Sequence, residues 1–129
     1  MKAHAFALSM LALLLAADTA RGQSVTGKWY AEFDSQAGVH KYTYTFKVEG
    51  EKVTGTATGQ LGDHKRAPVA IKEGKIKGAH ISFIETVTLM DMEIQIKYTG
   101  KIVGDEIRFT REVGKYATEQ LIARRVPAR

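Results

Sequence analysis

Cysteine and asparagine are both absent from this chain of 129 residues, which also carries only one tryptophan and two prolines. Without cysteine there is no disulfide, no thiolate zinc site and no thiol nucleophile. Without asparagine there is no N-glycosylation acceptor. No segment shows a sustained helical period, which removes phosphate-binding loops that open onto helices. No serine sits in a G-x-S-x-G elbow, and none of Ser24, Ser35 or Ser82 has a histidine partner suggested by register.

Long apolar runs are also missing, with one exception. Ala5 to Ala17 is apolar except at Ser9 and follows the positive Lys2. That length is too short to cross a bilayer and fits the core of a signal peptide. Ala20 and Gly22 place small residues at the two positions a signal peptidase reads. The expectation is a signal peptide over residues 1–22 and a single domain over residues 23–129, secreted or periplasmic, with no membrane span after cleavage.

The formal net charge is +5, and loss of Lys2, Arg21 and Asp18 with the leader lowers it by one. Lysines alternate with Thr and Glu instead of clustering, as on the wet face of a sheet. A nucleic-acid surface needs a concentrated basic stripe with stacking aromatics, so no nucleic-acid partner is expected.

What fills the chain is period-two alternation. Val25, Gly27, Trp29, Ala31 and Phe33 share one face, as do Tyr42, Tyr44, Phe46 and Val48, and then Val53, Gly55, Ala57, Gly59 and Leu61. Ala67, Val69 and Ile71 form a fourth strand, with Ile76 beyond a turn. The second half gives Ile81 to Leu89, Met92 to Ile102, Ile107 to Val113 and Ala117 to Arg125, each with its own inward set. Glu49-Gly50-Glu51, Glu73-Gly74-Lys75, Gly104-Asp105 and Gly114-Lys115 read as turns, because glycine reaches the positive φ that tight hairpins need. Eight apolar faces joined by short loops need one common interior, and closure removes both exposed edges. The fold expected is all-β, an eight-stranded antiparallel up-and-down barrel; a two-sheet sandwich is the alternative.

Thr26-Gly27-Lys28-Trp29, with Leu121-Ile122-Ala123-Arg124-Arg125 on the last strand, resembles the G-x-W opening and basic last strand of the calycin barrels, the lipocalin, fatty-acid-binding and avidin-like group. The resemblance implies that Trp29 plugs the closed end and that a basic residue lies across it, parity favouring Arg125 over Arg124. The flavour is nearest to avidin, but a lone tryptophan does not support biotin binding. The stretches Lys41 to Phe46 and Gly104 to Arg111 also resemble a small secreted bacterial domain found alone or attached to hydrolases of polysaccharides and esters. That resemblance carries no assigned catalytic residues.

Chemistry is expected where alternation places charge inward, at Glu85, Arg111 and Glu119. A three-residue connection over Gly114–Tyr116 would set Arg111 directly opposite Glu119, in the half away from Trp29, where Tyr42 and Tyr44 also lie. Interior charges are costly unless paired. Three readings follow. Arg111 and Glu119 form an ion pair, with Glu85 and a tyrosine completing a network. Or Tyr42, Tyr44, Glu85, Arg111 and Glu119 line a mouth that holds a small organic or carbohydrate-like ligand, without catalysis. Or Glu85 and Glu119 form the carboxylate pair of a glycoside or ester hydrolase. A structural or interaction domain with a filled core stands beside these. No cofactor is expected, and His40, His64 and His80 lack metal-ligand spacing and read as surface residues.

Overall fold

The computed structural model describes residues 25–127; the expected signal peptide, residues 1–22, lies outside them. Ten strands follow in order: β1 (Gly27–Ser35), β2 (Gly38–Glu49), β3 (Lys52–Leu61), β4 (His64–Lys65), β5 (Val69–Ala70), β6 (Lys72–Lys77), β7 (His80–Leu89), β8 (Met92–Val103), β9 (Glu106–Val113) and β10 (Ala117–Arg125). Each pairs antiparallel with its neighbours, and β1 meets both β2 and β10 while β2 meets β3, so the sheet closes on itself. The short pieces β4, β5 and β6 succeed one another along a single stave, which makes this a closed eight-stranded antiparallel barrel. Alternation has the expected cause. Inward residues such as Ala31, Phe46, Val53, Phe83, Ile96 and Ile107 are buried, and the Thr and Lys positions between them face out.

The fourth stave departs from the expected pattern. Glu73-Gly74-Lys75 is no turn; it lies inside β6, and the chain reverses instead at Gly78, between β6 and β7. Ile76 therefore belongs to the same stave and is buried. A bulge between Lys72 and Lys75, with Glu73 at φ 52°, shifts the register there. Bulges of this kind bend a strand and break its ladder. Pro68 sits in the unpaired gap between β4 and β5, where a missing N–H costs nothing. A second loosening occurs at the seam. Between β1 and β10 only Trp29↔Arg125 and Tyr30↔Arg124 are paired, so the strands part above them.

The two ends of the barrel differ as a result. At the closed end Trp29 is fully buried and its indole Nε1 donates to the Val25 carbonyl at 2.9 Å. The Arg125 guanidinium lies 4.4 Å from the ring centre, and its Nε donates to Asp105 at 3.1 Å. Arg124, on the other face, pairs with Glu106 in solvent. Above this plug the interior is filled by stacked and edge-on rings of Tyr44, Phe46, Phe83, Tyr98 and Phe109. Glycine makes room for one of them: a Cβ on Gly100 would lie 2.6 Å from the Phe109 ring directly opposite.

The plug sets a ranking of stabilities. Trp29→Ala is expected to cost about 3–5 kcal/mol. Arg125→Ala should cost about 1–2 kcal/mol through the lost cation–π contact, and Arg124→Ala less than about 0.5 kcal/mol. Urea denaturation of the three variants checks the order; equal losses at Arg124 and Arg125 would contradict it.

Candidate functional site

The polar interior is set by strand parity. Tyr42 and Tyr44 alternate inward on β2, Glu85 on β7, Tyr98 on β8, Arg111 on β9 and Glu119 on β10. Register then joins them. Arg111 lies directly opposite Tyr98 on one side and Glu119 on the other, and Val113 pairs with Ala117 as the loop length requires. Glu85 sits opposite Ile96, one inward step along β8 from Tyr98, within diagonal reach.

Arg111 is the hub. Its Nη1 donates to Glu119 Oε1, its Nε to the Tyr98 hydroxyl at 2.9 Å and its Nη2 to the Tyr42 hydroxyl at 3.0 Å. Tyr42 and Tyr98 in turn donate to the two oxygens of Glu85, at 3.0 and 2.9 Å, and Tyr44 donates to Tyr98 at 3.0 Å. The roles are forced. A guanidinium only donates, so both tyrosine oxygens accept from it and their single protons go to Glu85, which acts as acceptor at both oxygens.

The electrostatics follow from this wiring. Burial, the Glu85 charge and its hydrogen bond push the Tyr42 hydroxyl up to about 12, against the opposing pull of Arg111. Burial likewise holds Tyr44 and Tyr98 well above the ordinary phenol range. Burial by itself disfavours the charge on Arg111, but the Tyr98 and Tyr42 oxygens and Glu85 outweigh it and hold the guanidinium firmly protonated.

Above the hub the barrel opens. A recess of about 660 Å³ occupies the mouth, at the end away from Trp29. Arg111 and Glu119 form part of its floor, and His40, Arg66, Val87 and Ile96 stand in its walls. Of the five residues expected to line a pocket, two therefore do. Tyr42, Tyr44 and Glu85 belong to the same cluster but lie beneath the floor, almost wholly buried and bonded to one another. The structure thus brings all five together and exposes only one edge of the set. In the carboxylate pair of the hydrolase alternative, both Glu85 oxygens accept from tyrosines and Arg111 holds Glu119.

His40 corrects the surface expectation. It is buried, stacked on Phe33 with ring centres 5.0 Å apart, while His64 and His80 are exposed. Burial, then the positive Arg111, lowers its pKa; Arg66 acts in the same direction and Glu119 opposes. Tyr98 and Arg66 were not singled out from sequence. Parity gave Tyr98 an inward place, but a tyrosine on an apolar face reads as core. Arg66 stands in the irregular stave, where alternation gives no direction. Among the described residues no group of three His, Asp or Glu side chains is placed to hold a metal ion.

Two predictions come from this wiring. Glu85→Gln must turn an NH₂ group toward a tyrosine hydroxyl that donates there and accepts from Arg111, leaving that hydroxyl proton without an acceptor, and should cost about 3 kcal/mol in urea denaturation. Stability should also fall at both ends of the pH scale. His40 binds a proton less readily in the folded chain, so its contribution is complete above about pH 6.5 and declines as pH drops below that value. The raised tyrosines act oppositely. Their contribution is complete below pH 10 and declines as pH rises toward 12. Thermal melts across pH should show both slopes, with the acid one flattened in His40→Phe.

Comparison with protein-family models, with curated proteins and with solved structures gives no match, so the chemistry of the site is what its own geometry provides.

Proposed function

We propose that this protein is a non-catalytic binding module, exported from the cell, that takes a small organic ligand into the mouth of its barrel. The single observation that carries the reading is the recess of about 660 Å³, with Leu61, Val87, Ile96 and Val113 on its apolar side and charged groups including Arg66, Arg111 and Glu119 facing it. That volume is in the range of small-molecule sites, and the mouth of a barrel is a usual place for them. The floor is preorganised, since the network beneath it fixes Arg111 and Glu119 without help from a ligand.

Export is supported by the apolar stretch Ala5 to Ala17 behind Lys2. Kinship with the calycin barrels is supported by Gly27-Lys28-Trp29 and by Arg125 stacked across Trp29 at the closed end. Carbohydrate-like ligands, and association with polysaccharide or ester hydrolases, rest on the resemblance in the strand sequences alone. A second reading, an interaction domain built on a filled barrel, is favoured by the solid aromatic lower half.

A thermal-shift screen separates the two. A ligand present at a hundredfold excess over its Kd stabilises by about 2.7 kcal/mol, which raises Tm by roughly 10 °C for a domain of this size. The shift should vanish in Val87→Trp, which fills the recess, and weaken in Glu119→Ala. An equal shift in all three proteins would place binding elsewhere.

A further inference from the structure

The rim of the recess carries an ordered arrangement of charge. Following the staves around the barrel from β10, Glu119 faces the mouth first. Two staves on, past β1, whose exposed Asp34 also borders the recess, His40 stands on β2. Two more staves on, past β3, Arg66 stands in the connection between β4 and β5. Eight staves close the ring, so Arg66 lies across the barrel from Glu119. Above Arg111, the opposite arc runs through the apolar Val113 on β9, Ile96 on β8 and Val87 on β7.

Glu119, His40 and Arg66 each have bonding capacity left over. Glu119 gives only Oε1 to Arg111, and among the described residues its second oxygen has no protein donor; the side chain is 14% exposed, toward the mouth. Among the described residues Arg66 has no carboxylate partner. The His40 ring makes no hydrogen bond among the described residues either. A buried imidazole next to Arg111 stays neutral at physiological pH and offers one donor and one acceptor.

From this we infer that the mouth recognises a zwitterion whose charges are separated, specifically a short peptide with free termini. This rests on the ligand-binding reading above and names its ligand class. The ammonium end meets the free oxygen of Glu119. The carboxylate end meets Arg66, whose guanidinium can bind it through two parallel hydrogen bonds. His40 bridges an amide between them, and an apolar side chain lies on Val87, Ile96 and Val113. An extended dipeptide spreads its two charges over roughly 7 Å, against about one residue in a single amino acid, as suits groups on opposite walls.

The test uses leucylalanine, its N-acetyl form and its C-terminal amide, titrated into the protein and followed by amide NMR and calorimetry. The free dipeptide should bind, and each capped form about tenfold more weakly or worse. Glu119→Gln should erase the penalty for acetylation and keep that for amidation; Arg66→Gln should do the reverse. Because Glu119→Gln also loosens the Arg111 pair, Arg66→Gln, whose side chain is only half buried, carries the test independently. Capped and free forms binding alike would overturn the inference and leave the recess as a binding site. So would a silent dipeptide beside a response to the neutral apolar compound 1-naphthol. If neither binds, the recess reading falls, and the peptide inference falls with it.

Discussion

A single guanidinium inside a closed barrel organises the upper half of this molecule. Removing Arg111 from water would cost several kcal/mol if nothing replaced the lost solvation. The fold replaces it with four groups from four different strands: Glu119 on β10, Tyr98 on β8, Tyr42 on β2 and, through the two hydroxyls, Glu85 on β7. Because a guanidinium is planar and purely donating, it also fixes the direction of every proton around it. The tyrosines can then give their protons only to Glu85 or, for Tyr44, to Tyr98. A network so fully specified tolerates one arrangement of strands, which ties the register of β8, β9 and β10 to that of β2 across the barrel.

The same hub divides the interior. Below it, rings from β2, β7, β8 and β9 stack in one mass, and Trp29 with Arg125 seals the far end. Above it, the wall loosens in two places. The fourth stave, with Pro68 in its gap, has no register partner on β7 beyond Lys72↔Ile84, and the parting of β1 from β10 that begins beyond Tyr30 continues toward the mouth. A regular stave on either side would draw the mouth closed over Arg111. The recess is thus a product of irregular pairing set above a rigid floor.

How far this was legible in the sequence depends on what each residue type can signal. Period two identified the inward faces of seven staves, because Thr and Lys alternate with large apolar residues there. Loop length alone set Arg111 opposite Glu119, since three residues over Gly114–Tyr116 leave one register. Charge on an inward face is conspicuous, so Glu85 and Arg111 stood out. Tyr98 did not, because its hydroxyl shows nothing until a partner is known. The fourth stave misled for a physical reason: a glycine between two charged residues is the mark of both a hairpin and a bulge. In Gly74 the glycine answers a close approach to the Val53 carbonyl, which only the paired strand reveals. The burial of His40 was hidden likewise, since it depends on Phe33 stacking from the neighbouring strand.

The division between floor and rim also bears on where specificity resides. A group already holding a full set of partners gains little from a ligand and loses those partners if it turns. Glu85, with a tyrosine donor on each oxygen and no place in the recess lining, is in that position, so in the proposed binding module it would support the site without selecting what enters it. In the proposed reading selection would fall to groups with bonding capacity left over, among them the outer oxygen of Glu119, the His40 ring and Arg66. Two of the three sit next to the loosened stretches of wall: Glu119 at the β1–β10 seam and Arg66 beside the interrupted stave. The irregular stretches of wall thus border the rim groups on which the proposed binding reading rests.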